Sequence, residues 1–502
     1  MKPDYAEAYL AQGFIYQILN RFTDALVKHE RALRLKPDLP YVVSSKLHIK
    51  MHCCNWDQLG TDYAALDVTI RLGKDASEPF HALSKPGTLA QQRDCARVYA
   101  LHKFPPMPPL WTGEQYKHDR IRLGYFSADF HDHATAHLIA GLFELHDRDR
   151  FELFAFSFGP KTDDPWQQRL ANSFDHFIDV RDQSDARVAE QVRELEIDIA
   201  IDLKGHTQDA RTGIFARRPA PLQVNYLGYP GTLGAPYIDY LIADPVLIPP
   251  EHQPWYDEKI VYLPHSYQIN DATKPISEHA FSRAELGLPE DGFVFCCFNA
   301  NYKITPDLFD IWMRLLHAVP GSVLWLLESN AVAAGNLRQE AQNRGVDPAR
   351  LVFAPRLPLP EHLARHRQAD LFLDTLYYNA HTTASDALWA GLPVLTCLGN
   401  AFAGRVAASL LRAVGLPEMI TLSHGEYEAR ARELATMPER LPALRQKLDN
   451  HRTSFPLFNT ALFTSHLEDA FIAMHQRLQD GLPAEHITVL ARSETTKVPL
   501  RS

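Results

Sequence analysis

The segment Asp374-Thr-Leu-Tyr-Tyr-Asn-Ala-His-Thr-Thr-Ala-Ser-Asp386 places two acids, a histidine and paired threonines just ahead of the run ALWAGLPVL. Its pattern predicts a strand ending at Asp374, a polar loop, and a helix starting near Thr382. Free amides at a helix start, joined by the hydroxyls of Thr382 and Thr383, suit a diphosphate. Asp386, one turn later, suits the hydroxyls of a ribose. A helix whose threonines merely satisfy its own amides fits the same residues. In Asn299-Ala-Asn-Tyr-Lys-Ile304, a strand-like run is followed by Lys303, a candidate phosphate partner whose plain alternative is a solvated lysine. Glu361-His-Leu-Ala-Arg365 sets His362 and Arg365 on one helix face.

Earlier in the chain, Asp129-Phe-His-Asp-His-Ala-Thr-Ala-His137 carries His131, His133 and His137. Three histidines so close raise a metal site, but no second carboxylate cluster accompanies them, so no metal is expected. His133 is expected on a strand-to-helix loop, touching a sugar or acceptor hydroxyl, and His137 is expected to be structural. Asp202 precedes Lys204-Gly-His-Thr207, and Leu227-Gly-Tyr-Pro-Gly-Thr-Leu-Gly234 forms a second glycine-bearing strand-end loop. Asp202 and Thr207 are candidate sugar or acceptor contacts.

These loops need a scaffold of strands alternating with helices. Apolar runs at 121–127, 151–157, 198–203, 222–227 and 259–264 form one series, and 293–299, 322–328, 351–355, 371–374 and 393–398 form another. The alternation predicts two doubly wound α/β domains with ligand in the cleft between them. From Ala6 to Leu39, the spacing of Tyr9, Gly13, Tyr16, Ala25, Ala32 and Pro37 fits one tetratricopeptide repeat. A lone repeat cannot bury its face, so either further repeats or the next domain must cover it. Helices are expected to continue to 104, followed by an extended linker over Phe104–Trp111 rich in proline. The expected boundaries are a repeat at 1–39, a connector and linker at 40–118, a first α/β domain at 119–275, a second at 276–480 and a loose tail at 481–502.

With 502 residues the chain is long enough for several cores, and its 46% hydrophobic and 22% charged composition is that of a globular protein. A formal net charge of −10 argues against nonspecific binding to nucleic acid or anionic membrane, though not against a local basic pocket. Six cysteines are too few for a disulfide framework, and a reducing cytoplasm is the expected compartment. Neither a secretory signal nor a membrane-spanning run is legible.

Taken together, GYFSADFHDHATAHL, RPAPLQVNYLGYPGTLGAPYIDY, FNANYKITPDLFDIWMRLLHAVPGSVLWLL, DTLYYNAHTTASDALWAGLPVLT and GRVAASLL resemble the protein O-linked N-acetylglucosamine transferases. That family, glycosyltransferase family 41, includes bacterial members and the Spindly-type fucosyltransferases. The resemblance runs from the repeat to about residue 480 and implies two facing Rossmann-like domains (GT-B) and inversion at the anomeric carbon without a metal. It places the catalytic histidine on His133. Nucleotide and phosphate contacts fall on Ala300, Lys303, Leu357, His362, Arg365, His381, Thr382, Thr383 and Asp386, with Lys303 neutralising the leaving diphosphate. Ala300 stands where animal enzymes have glutamine, Leu359 replaces a lysine near the uridine, and Tyr378 replaces a smaller residue lining the N-acetyl pocket. The Leu357 contact is through backbone. His381 favours the N-acetylglucosamine branch over the Spindly branch, which has glycine there.

The resulting expectation is transfer from UDP-N-acetylglucosamine to Ser or Thr of an acceptor protein or peptide presented by the repeats, with no cofactor, no nucleic acid and no membrane partner. The alternatives are a fucose or other donor, and a scaffold with a degenerate nucleotide site.

Overall fold

In a computed structural model, residues 4–73, 77–437 and 439–492 are described, and they form two compact units. One unit joins the N-terminal helical segment, through Lys103, with Lys274–Leu411 and Gly415–Arg452; the other holds Phe104–Thr273, Arg412–Val414 and the chain from Thr453 on.

The strands of the second unit are β1 (Ile121–Ser127), β2 (Phe151–Ser157), β3 (His176–Asp179), β4 (Ile199–Asp202), β5 (Leu222–Asn225), β6 (Tyr240–Ala243) and β7 (Lys259–Tyr262). The first unit contributes β8 (Val294–Cys297), β9 (Val323–Leu327), β10 (Leu351–Ala354), β11 (Leu371–Leu373), β12 (Val394–Cys397) and β13 (Ile420–Thr421). A last strand, β14 (Ile487–Thr488), returns to the other sheet. The orders are β14-β7-β6-β5-β4-β1-β2-β3 and β10-β9-β8-β11-β12-β13. Every described pairing is parallel. Strands β4, β5, β6, β8 and β12 are buried at every residue, as parallel strands covered on both faces must be. The α/β expectation holds. Strands β3, β6 and β13 went unread: β3 is partly exposed, β13 spans two residues, and the short apolar run of β6 follows closely on a glycine- and proline-rich loop.

Some helices start where short polar side chains take orphan amides. Asp164 accepts from Trp166 N and Gln167 N with Pro165 at the first turn, and Ser184 accepts from Arg187 N. The repeat residues form an antiparallel helix pair, Ala6–Ile18 and Phe22–Leu35. Gly13 lets them touch: a Cβ there would lie 2.1 Å from His29 Nδ1. His29 bridges to the next helix, Val42–His52, pairing with Ala25 O (2.9 Å) and Ser45 Oγ (2.8 Å). That helix packs on the pair, with Val42 against Ala32, and Ile49 and the following Cys53 against Phe22 and Ala25. Its end is tied to the six-stranded half of the same unit, where Asn330 Nδ2 donates to His52 O (3.0 Å) and Asn336 Nδ2 to Cys53 O (2.8 Å).

Three boundary expectations differ from the structure. The helical segment packs as one unit with the second α/β half instead of standing as a separate repeat and connector. The helix Thr460–Gln479 belongs with the eight-stranded sheet, where Glu468 accepts from His146 Nδ1 (2.9 Å) and Asp147 N (2.8 Å). Finally, the expected tail supplies β14, paired with β7; residues 493–502 lie outside the described residues. The proline-rich linker is extended as expected, but strapped down: Met107 N, Leu110 N and Trp111 N donate to Ala216 O, Arg217 O and Arg218 O at 2.8, 2.8 and 3.0 Å.

Candidate active site

Beyond β8 the chain enters the short turn Asn301–Lys303, which buries the Lys303 side chain to 8% exposure. Its ammonium donates to Asn379 O at 2.8 Å and lies 3.8 Å from the centroid of the Tyr378 ring. A solvated lysine is therefore not what the structure contains. Burial brings this ammonium down to about 7, against the opposing pull of Asp374.

Asp374 ends β11 and is fully buried. One oxygen accepts from Thr375 N (2.7 Å), Ala380 N (2.6 Å) and Asn299 Nδ2 (3.3 Å), and the other from Thr396 Oγ1 (2.6 Å). The acid thus shapes the whole loop from 375 to 380, and burial pushes its carboxyl up to about 6. Asn299 extends the brace: its amide donates to Thr375 Oγ1 (2.8 Å), and its oxygen accepts from Thr383 Oγ1. Helix Thr382–Trp389 begins at His381 with no side-chain cap. Thr383 spends its hydroxyl on Asn299, so the self-capped helix does not describe this segment. His381 donates from Nε2 to Ala403 O (3.1 Å), and burial holds its ring well below the ordinary histidine range.

Asp386 accepts from Lys274 Nζ at 2.8 Å, and that lysine side chain is entirely buried. His362 and Arg365 do share a face, with the guanidinium against His362 Nδ1 at 2.5 Å. Arg365, however, is fully buried, donates to Pro355 O (2.5 Å) and lies 4.6 Å over the Phe298 ring, so it braces the loop instead of opening to solvent. Ala300 and Leu357 are half-buried.

In the other unit, β1 leads to Asp129 and to His133, which starts the helix Ala134–Leu145. His133 Nδ1 accepts from Thr135 N at 3.2 Å, whereas Asp129 Oδ2 stands 3.6 Å away, beyond hydrogen-bond range. Burial lowers the ring's pKa, so it is neutral near pH 7. With Nδ1 used as acceptor, the proton sits on Nε2, and the ring presents an N–H. Asp129 instead pairs with Lys204, whose ammonium is 2.9 Å from both carboxylate oxygens. His137 pairs with Asp132 Oδ1 at 2.6 Å. Asp202 is buried and caps its own loop, accepting from Lys204 N (2.9 Å) and Gly205 N (3.0 Å), so it is an anchor and not an exposed contact. Thr207 is half-buried and donates to Lys204 O (3.0 Å). Gly228 permits the loop after β5 to close on this one: a Cβ there would lie 2.1 Å from Leu203 O. Among the described residues, no group of three or more His, Cys, Asp or Glu is arranged to hold a metal.

Residues 93–281 and 275–467 match the model of glycosyl transferase family 41. The chain belongs to that family. It is 36% identical to the probable UDP-N-acetylglucosamine–peptide N-acetylglucosaminyltransferase SEC of Arabidopsis thaliana, covering 88% of this chain and 48% of that protein. The UDP-N-acetylglucosamine–peptide N-acetylglucosaminyltransferase of Caenorhabditis elegans is 30% identical, covering 74% of this chain and 42% of its own. The family 41 chain thus spans under half the length of these curated relatives. A lysine-to-methionine mutant of Thermobaculum terrenum O-GlcNAc transferase superposes with a TM-score of 0.82 at 29% identity, covering 96% of this chain and 92% of that one. The fold is GT-B.

Sequence reading of this family 41 member missed Lys274, Lys204 with Asp129, and the bracing roles of Asn299 and Thr396. Lys274 sits in a polar stretch with no periodicity, and its partner is 112 residues away, so no local signal announces it.

Proposed function

We propose that this chain transfers N-acetylglucosamine from UDP-N-acetylglucosamine to Ser or Thr hydroxyls of protein acceptors, with inversion. The observation that carries the reading is Lys303: a buried ammonium, held by Asn379 and Tyr378, beside an uncapped helix start. As the acceptor oxygen bonds to the anomeric carbon and releases its proton to water, the bond from that carbon to the β-phosphate oxygen breaks, and negative charge grows on the diphosphate. Lys303 and the first amides of Thr382–Trp389 are assigned to that charge. Ala300, Leu357, His362, His381, Thr382, Thr383 and Asp386 are assigned to the nucleotide, with Arg365 holding His362 in place. His133 presents Nε2–H, so we assign it the orientation of a sugar or acceptor hydroxyl, not proton removal.

Three expected results test these assignments. In a thermal-shift and calorimetric panel of UDP, GDP and their sugars, UDP and UDP-N-acetylglucosamine should bind; binding confined to GDP and GDP-fucose would move the reading to the fucosyl branch. Changing Thr382 and Thr383 together to valine should weaken UDP more than tenfold, about 1.4 kcal/mol or above; equal affinity would remove the loop from the site. Affinity for UDP-N-acetylglucosamine, whose diphosphate has no group titrating near pH 7, should also depend on pH with a defined sign. The free ammonium titrates at about 7 and the diphosphate binds its charged form, so affinity is level below pH 7. Above it, affinity should fall by up to about tenfold per pH unit until the raised value in the complex is reached. Affinity that rises with pH would contradict the assignment.

Lys303 can supply the positive charge, so we also propose that no metal takes part, and full transfer is expected in excess EDTA. Inhibition reversed by magnesium or manganese would overturn this. All six cysteines are unpaired and buried, which suits a reducing cytoplasm, and no helix among the described residues is long and apolar enough to cross a membrane.

A further inference from the structure

Lys303 is flanked by a ring that no pairing of charges requires. Its Nζ sits 3.8 Å from the centroid of Tyr378, close for an ammonium over an aromatic face, and its donor contact to Asn379 O comes from the residue next to that tyrosine. The Tyr378 ring is itself fixed from three sides. His381 lies 4.9 Å away at 50°, Phe80 5.9 Å away at 74°, and Tyr302 6.1 Å away at 60°. Phe80 belongs to the short helix Pro79–Ala82 of the N-terminal helical segment, and Tyr302 precedes Lys303 in its own turn. The ring is only 6% exposed, so it cannot turn away without disturbing this cluster. Asp374, the acid whose charge acts on Lys303, is committed to four donors: two backbone amides of its own loop, Asn299 and Thr396.

We propose that Tyr378 is a positioning residue for Lys303: its ring face holds the ammonium in its charged form, aimed at the place the diphosphate will occupy, and the ring is held there by the helical segment through Phe80. A π face attracts the ammonium without forming a salt bridge, so the cation stays available to a phosphate that arrives later. A carboxylate in the same place would compete with the substrate. Burial pulls the Lys303 pKa down, and the ring face opposes that pull by favouring the charged form. The consequence for turnover rests on the proposed transfer reaction; the consequence for the amine itself does not.

The test compares Tyr378→Phe, which keeps the ring face, with Tyr378→Leu, which removes it. The first readout needs no substrate: acylation of the folded, full chain with acetic anhydride across pH, followed by mass spectrometry of the peptide containing Lys303. Wild type and Tyr378→Phe should share one midpoint, and Tyr378→Leu should fall by about one pH unit, the scale of a partly desolvated ammonium–ring contact. A Tyr378→Leu midpoint that stays in place or rises overturns the proposal. The second readout is kinetic: Tyr378→Leu should lose roughly tenfold or more in kcat with less change in donor KM, and Tyr378→Phe should restore turnover. Equal kinetics for the two variants would also overturn it. Should Tyr378→Leu fail to melt cooperatively, Tyr378→Met serves in its place. Absence of any transfer by wild type would sink the transferase reading while leaving the labelling result to decide this one.

Discussion

Lys303→Met is expected to lower kcat by roughly 10²-fold or more, with a smaller loss of donor affinity. Methionine keeps most of the volume and removes only the charge. The wild-type ammonium is preorganised: it is buried, hydrogen-bonded to Asn379 O and seated on Tyr378 before any donor arrives. A fixed charge aimed at a growing negative charge stabilises the transition state more than the ground state, and losing one such donor costs about 10²–10³ in kcat. Steady-state kinetics with UDP-N-acetylglucosamine and a protein acceptor check this. Near-normal turnover in the variant would remove Lys303 from the chemistry.

Asp374→Ala should damage the same site from beneath. It leaves the buried amides of Thr375 and Ala380, the Thr396 hydroxyl and one Asn299 N–H without their acceptor. Orphaned buried donors cost about 1–3 kcal/mol each, so the two backbone amides alone imply a loss of about 2–6 kcal/mol in stability. The loop to His381 should lose its shape, and UDP binding should fall with it. Asp374→Asn keeps an acceptor oxygen for the two amides, and the Thr396 hydroxyl can reverse to accept, so it should be milder. Denaturant unfolding with UDP calorimetry reads both effects; an alanine variant as stable as the asparagine one would refute the hub role.

Much of this was legible in the chain because parallel strands and their loops write local signals. The runs 121–127 and 151–157 are strands to the residue, and the strand-end loops carry Lys303, His133 and the two threonines, as their spacing indicates. What stayed hidden was long-range. Lys274 meets Asp386 across 112 residues, and Phe80 reaches Tyr378 from a helix nearly three hundred positions earlier. Arg365 was legible only as a charged residue on a polar-looking helix face, with its nucleotide role implied by the resemblance; its burial over Phe298 was not, because a guanidinium can spend its donors on backbone carbonyls. Nor was it legible that one Asp202 oxygen would accept from two amides of its own loop.

The reading stands or falls on transfer itself. Incubating the full chain with UDP-N-acetylglucosamine, a Ser/Thr-containing protein acceptor and excess EDTA, then mapping the acceptor by mass spectrometry, should show one N-acetylhexosamine on serine or threonine and one UDP released per sugar transferred. The same reaction with Lys303→Met should show a rate lower by roughly two orders of magnitude. No modified residue under any sugar nucleotide, with the donor left intact, would contradict it and leave the chain a nucleotide-binding scaffold.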